Sequence, residues 1–215
     1  KAPAQNLVEL PQGVSYEDGA TLACGGGTVY HAIKSAQVGF AETVVIYGFG
    51  GLGTIALQVA KLTGATTLVV DIAKEKLALA QKLGADGVIN ASKQDVVKET
   101  KALTGGLGVH KVFDLVSAPA TLENSLQMLR RGGRLIIIGA LTKPFQAIPL
   151  DLLGNRTQIH GQGGCPRWEL EELAQLVKAG KVKPVVSKVY PLEDVSKALE
   201  ELQRGQILGR AVIKP

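Results

Sequence analysis

Six consecutive residues, Gly48-Phe49-Gly50-Gly51-Leu52-Gly53, carry the clearest chemistry in the sequence. They fit G-x-G-x-x-G, a spacing suited to phosphate. The first glycine permits a tight turn, the second lets the backbone approach a pyrophosphate, and the third lets a helix pack closely on a strand. N–H groups of the first helical turn, backed by the positive end of the helix dipole, then face the anion. Asp71 follows 18 residues after Gly53. A carboxylate there accepts hydrogen bonds from a ribose 2′-hydroxyl, whereas a 2′-phosphate meets like charge, a repulsion of roughly a few kcal/mol at intermediate dielectric. The pairing points to NAD rather than NADP. Two other readings stay open on these residues alone. One is a tight strand–helix turn with an exposed acid and no ligand. The other is a methyltransferase using S-adenosylmethionine, although such enzymes lack the full G-x-G-x-x-G entry to the helix.

Other reactive side chains are sparse. Two cysteines, Cys24 and Cys165, cannot staple a secreted scaffold, so a hydrophobic core and a reducing, cytoplasmic compartment are expected. Taken alone, Cys24 in its glycine-rich turn reads as a small buried hydrophobe. By the same reasoning Lys76 is an ordinary solvated helix lysine, His110 belongs to a polar turn and His160 to an edge strand.

The elements that must position these residues follow a regular grammar. Short β-branched runs at 43–47, 67–71, 87–90, 109–116 and 134–138 alternate with amphipathic stretches at 51–63, 74–83, 94–103 and 119–131. Strands alternating with helices imply βαβ units, a parallel sheet and right-handed crossovers, hence an α/β doubly wound fold. Both ends break the rhythm. Leu7 to Pro11 reads as a short extended piece, helix candidates flank the glycine-rich Cys24 to Thr28, and 194–204 and 209–213 read as a helix and a strand outside the main alternation.

Composition supports this and excludes other classes. The 215 residues are 46% hydrophobic and 20% charged, too apolar for a disordered chain. The apolar stretch from Leu135 falls far short of the roughly 20 residues of a membrane helix, and no leader opens the chain, so neither membrane nor secretion is expected. The net charge of +5 is dispersed over mixed faces and accompanied by only 4% aromatics, which argues against a nucleic-acid partner.

The stretches LACGGGTVYHAI, VVIYGFGGLGTIALQVAKL, VVDIAKEKLALAQKLGAD, GGRLIIIG and GRAVIKP resemble, in order and spacing, the zinc-type alcohol dehydrogenases of the medium-chain dehydrogenase/reductase superfamily. The resemblance implies a six-stranded Rossmann domain binding NAD, with remnants of a β-rich catalytic domain at both ends. The expected boundaries are 1–25 for a remnant, 26–165 for the NAD-binding domain, 166–190 for a closing helix and connection, and 191–215 for a C-terminal helix and strand of catalytic-domain type. It implies that Cys24, in C-x-x-x-T, is a ligand of a catalytic zinc and that Thr28 packs beside the nicotinamide. Lys76 is implied at the adenosine half, Gly139 and Ala140 at the carboxamide, Val116 along the cofactor, and Arg210 at the pyrophosphate. His31 is implied to be structural, while Cys165 and Trp168 fall in a loop and helix bordering the substrate pocket. An enzyme exchanging hydride between a small alcohol or carbonyl compound and NAD(H) follows, assembled as a homodimer or dimer-based tetramer. A zinc site needs three protein ligands, and the sequence offers one, so the chain is expected to hold the cofactor-binding part only and to be inactive alone. The strips Leu7–Leu10 and Ala211–Ile213 are then expected to lack cover. Two alternatives are carried: a non-catalytic NAD-binding and dimerisation module, and a zinc-free quinone or enoyl reductase, against which Asp71 and Cys24 both argue.

Overall fold

In the computed structural model, which describes residues 3–140 and 142–215, the β-branched runs form one parallel sheet. Its strands are β1 (Thr43–Tyr47), β2 (Thr66–Asp71), β3 (Gly87–Asn90), β4 (Val109–Asp114), β5 (Leu129–Ile137) and β6 (Gln158–Gly161), in the order β3-β2-β1-β4-β5-β6. Strand order reverses between β1 and β4, and it is in the crevice outside the carboxyl ends at such a point that doubly wound sheets bind ligands.

Helices cover both faces. These are α1 (Tyr16–Thr21), α2 (Gly27–Ser35), α3 (Gly51–Leu62), α4 (Lys74–Lys82), α5 (Val96–Leu103), α6 (Pro119–Met128), α7 (Pro149–Asn155) and α8 (Arg167–Lys178). Successive side chains of a strand point to opposite faces. Val44, Ile46, Val69, Phe113 and Ile136 therefore meet Ile33, Ile55, Leu77 and Leu173 from α2, α3, α4 and α8. Val45, Val70, Val112 and Leu135 meet Val96, Leu122 and Met128 from α5 and α6. Asp95 caps α5 by accepting from the Val97 and Lys98 N–H groups, and Pro119 opens α6, where a missing N–H costs nothing.

Four regions differ from the sequence expectation. The stretch between α1 and α2 is a π-helical turn, Leu22–Gly26, so Cys24 to Thr28 continues a helix instead of forming a turn. Its glycines serve close packing: a Cβ at Gly26 would lie 3.1 Å from the Leu173 side chain and one at Gly27 would lie 2.3 Å from Cys165 Sγ. His110 lies within β4. Helix α6 ends at Met128, and β5 begins there at Leu129, with an irregularity in its pairing to β4 before Arg134. Leu7–Pro11 joins no strand; Leu7 is exposed and the Leu10 side chain packs against Gly19.

Beyond the sheet, β7 (Val186–Pro191), α9 (Val195–Gln203) and β8 (Arg210–Lys214) form a separate two-stranded parallel βαβ unit. It begins before residue 191 and so spans the expected boundary. Ala211 and Ile213 pack on Tyr190, Ala198 and Ile207, which gives that strip partial cover from its own chain. Lys214 Nζ reaches Glu17 Oε1 at 3.0 Å, tying β8 to α1. No helix among the described residues is long and apolar enough to cross a membrane.

Candidate functional site

Strand β1 ends at Tyr47, and Gly48 turns with φ +93°, a conformation that favours glycine. Its N–H donates to the Val70 carbonyl at 2.8 Å, which ties the turn to β2. The next N–H, of Phe49, donates to Asp71 Oδ2 at 2.7 Å, and that of Ala73 donates to Oδ1 at 2.9 Å. The acid expected to serve a ligand is therefore also the post that holds the glycine turn. Lys76 Nζ stands 4.0 Å from Asp71 Oδ2 and is half-buried, so it is more than a solvated helix lysine.

Each motif glycine has a different task. A Cβ on Gly53 would strike the Gly48 carbonyl oxygen at 2.6 Å, so α3 lies directly on the turn. Gly50 has nothing within 4 Å of that position; its face is open space. Gly51 carries the Arg210 side chain across it, with Nε 2.2 Å from where a Cβ would be, and Gly25 lies under the same guanidinium, with Nη2 at 1.9 Å from its Cβ position. Leu52 packs toward Gly25. Arg210, at the start of β8, thus bridges the glycine turn and the π-helical turn. Its Nε is buried and has no hydrogen-bond partner. Burial pulls the pKa of the guanidinium down and the Cys24 thiol nearby acts weakly in the other direction, yet a guanidinium keeps its charge in proteins. A cavity of about 230 Å³, lined by Thr21, Cys24, Gly25 and Val212, opens beside it.

The other side of the crevice is built on Asp114, which ends β4 and is fully buried. It accepts from the Val116 and Ser117 N–H groups at 2.9 and 2.7 Å and from the Ser125 hydroxyl at 3.2 Å. Val116 then rests on the turn: a Cβ on Gly48 would lie 2.7 Å from its Cγ2. Gly139, after β5, lies so close to Val116 and Ser117 that a Cβ would be 2.6 Å from Ser117 Oγ. Ala140 is exposed beside it. Ser117 adopts φ +58°, and its buried hydroxyl has no partner. The two unpartnered buried polar side-chain atoms among the described residues, Ser117 Oγ and Arg210 Nε, both flank this crevice.

Cys24 is exposed, against the reading as a buried hydrophobe. Its carbonyl accepts the Thr28 hydroxyl at 2.7 Å, so that hydroxyl is engaged along the helix. His31 Nδ1 lies 2.7 Å from Glu169 Oε2, a link between α2 and α8 that fits a structural role. Among the described residues no three His, Cys, Asp or Glu side chains converge as a metal ion requires. Cys24 by itself does not make a zinc site.

The structure thus gathers Gly48 to Gly53, Asp71, Lys76, Val116, Gly139 and Arg210 around one crevice, with Cys24 at its side. Gly25, Asp114 and Ser117 join them without having been singled out. Asp114 had a legible signal, because it closes a buried strand (VFD) just as Asp71 does (VVD). The left-handed backbone of Ser117 had none.

Known proteins bear on this constellation. The family described as zinc-binding dehydrogenase matches residues 51–179. An alcohol dehydrogenase of Geobacillus stearothermophilus is 37% identical over 217 aligned residues, covering 100% of this chain and 63% of that protein. An NAD-dependent alcohol dehydrogenase of Sulfurisphaera tokodaii is 37% identical, with 94% of this chain and 59% of that protein aligned. The crystal structure of the alcohol dehydrogenase from Aeropyrum pernix superposes with a TM-score of 0.89 at 37% identity, over 97% of this chain and 61% of that one. The chain therefore spans about three fifths of the length of the relatives it matches. Motifs, sheet order and these alignments agree, and the chain belongs to the zinc-binding dehydrogenase family.

Proposed function

We propose that this chain is the NAD-binding part of an alcohol dehydrogenase, which exchanges hydride between a small alcohol or carbonyl compound and NAD(H). The observation that carries the reading is Arg210: a half-buried side chain whose Nε is buried and unpartnered, laid over Gly51 at the start of α3 and over Gly25 in the π-helical turn. A pyrophosphate supplies the acceptors that this cation and the first N–H groups of α3 lack. The open face of Gly50 leaves room for it.

The remaining residues divide along the crevice. Asp71 retains lone pairs beyond its two backbone donors and accepts a ribose hydroxyl, with Lys76 beside it at the adenosine half. Val116, Gly139 and Ala140 border the nicotinamide half, and Thr28 and Cys24 approach from the π-helical turn. When bound, the nicotinamide supplies hydride chemistry; the chain's own residues bind and orient it. Residues 26–165 form the body of this unit and 191–215 supply Arg210. Zinc would use Cys24, with its other ligands coming from outside this chain. The Sulfurisphaera relative is an NAD-dependent alcohol dehydrogenase, which supports the choice of NAD that Asp71 indicates.

Isothermal titration of the purified chain with NADH and NADPH tests the proposal. Saturable NADH binding with a clear preference over NADPH is expected, without alcohol turnover. The double change Asp71→Gly with Ile72→Arg is expected to weaken NADH and improve NADPH binding. Absence of NADH binding by the folded wild-type chain overturns the proposal.

A second reading, an NAD-binding module that serves association, is favoured by β6, which forms the sheet's outer edge and is exposed along all four residues. An unpaired parallel edge invites a second strand, in keeping with a homodimer or dimer-based tetramer. Light scattering that gives a monomer at every concentration counts against it.

A further inference from the structure

The end of the sheet opposite the crevice holds a cavity of about 300 Å³, lined by Gln37, Glu42, His110, Lys111, Arg130, Arg131 and Arg134 among others. Four of its side chains carry permanent positive charge and one is a carboxylate. That carboxylate is already committed: Glu42 pairs with the Lys111 ammonium and accepts from the Gly39 N–H at 2.9 Å. Lys111 also reaches the Gln37 carbonyl at 3.4 Å. Arg134 donates from Nε to the neutral Gln158 at 2.9 Å. Arg130, Arg131 and Arg134 have no carboxylate within 4.0 Å among the described residues. The neighbouring cavity on the far side of Arg130 and Arg131 does contain Glu123 and Asp151, together with Lys101.

His110 adds a sharper observation. Its Nδ1 accepts the backbone N–H of Thr43 at 3.0 Å. A neutral imidazole that accepts at Nδ1 carries its hydrogen on Nε2, and a protonated ring would set a second N–H against that of Thr43. Yet Arg130 Nη1 lies 2.8 Å from Nε2, and a guanidinium has no lone pair to offer. Two donors therefore meet in direct contact, an arrangement that an acceptor oxygen beside the pair would relieve by receiving from both. Burial and the Arg130 charge hold the His110 pKa below its ordinary value, which keeps the ring in this neutral form.

We infer that this cavity is a binding site for a small multiply charged oxyanion, its oxygens accepting from His110 Nε2–H and the Arg130 guanidinium while Arg131 and Arg134 balance its charge. Bidentate guanidinium geometry suits phosphate oxygens, and the volume accommodates phosphate or pyrophosphate. The site lies beyond the amino ends of β1, β4 and β5, so it is separate from the cofactor crevice and does not depend on the reading of that crevice.

The test follows His110 and Thr43 by nitrogen-15 NMR of the folded chain while inorganic phosphate is added, with sodium chloride at matched ionic strength as the control. Saturable shifts at His110 Nε2 and the Thr43 amide are expected with phosphate and not with chloride. Pyrophosphate in a parallel titration shows whether a free phosphate or a phosphoanhydride is preferred. Arg130→Gln is expected to weaken phosphate at least tenfold, and the exposed Arg131→Gln severalfold. Lys197→Gln, exposed on α9 and outside both sites, is expected to leave the affinity unchanged. Shifts that match chloride, that appear only around Gly50 and Arg210, or that persist undiminished in both arginine variants overturn the inference.

Discussion

His110 and Glu42 show how single residues at the amino end of the sheet couple stability to pH in two separate windows. The folded His110 has a pKa below its ordinary 6.5, because burial and then Arg130 oppose the charged ring. The unfolded chain therefore takes up that proton first as pH falls, and the contribution present above about pH 6.5 is lost on going lower. Burial pushes the Glu42 carboxyl up, but Lys111 and the Gly39 N–H more than offset it and leave its pKa below the ordinary 4.5. Its stabilisation is complete above that value and is lost as pH falls through the folded pKa. His110→Gln keeps an acceptor for the Thr43 N–H and removes the titration. Urea midpoints measured from pH 8 to 5 are expected to fall less steeply below 6.5 in this variant than in the wild type. An unchanged slope would assign the pH dependence to other groups.

Among the elements, the glycine turn and α3 form a tight joint. Gly53→Ala places a methyl 2.6 Å from the Gly48 carbonyl oxygen, which is backbone and cannot swing aside. A loss of about 1–3 kcal/mol, the usual cost of overpacking, is expected in chemical denaturation. This joint was legible in the sequence because each demand on it is local: β-branched residues to 47, glycines at fixed offsets, then apolar residues at helical spacing. The π-helical turn at Leu22–Gly26 was not, since its glycines are explained by partners far along the chain, Arg210 for Gly25 and Leu173 for Gly26. His110 was misplaced for a similar reason. Its flanks, Gly105, Gly106, Gly108 and Lys111, have turn composition, although the run 109–116 itself reads as a strand, and pairing with β1 and β5 sets His110 inside it. The early start of β5 lay hidden under Arg130-Arg131-Gly132-Gly133, where Gly132 takes φ +78° within the irregular pairing.

For the whole molecule, the decisive joint is between the six-stranded sheet and the C-terminal βαβ unit. Gly209 adopts φ +77°, and a Cβ there would lie 2.3 Å from the Val185 carbonyl oxygen, while the Arg210 N–H donates to that same oxygen at 2.8 Å. Gly209→Ala is expected to push β8 off its partner and shift Arg210 from Gly51. The anticipated result is a lower thermal midpoint and NADH affinity reduced at least tenfold, while far-ultraviolet circular dichroism still reports the main sheet. Retained affinity would mean that the guanidinium is not needed. The placement of Arg210 also has a temporal side. A chain made from its amino end completes every strand of the six-stranded sheet before residue 210 emerges, so the seat over Gly25 and Gly51 is the last part of the crevice to be furnished. During synthesis the glycine turn is present without its guanidinium. Capture of an anion that needs both must await β8, so if Arg210 serves as proposed, an occupied crevice belongs to a chain made at least through that strand.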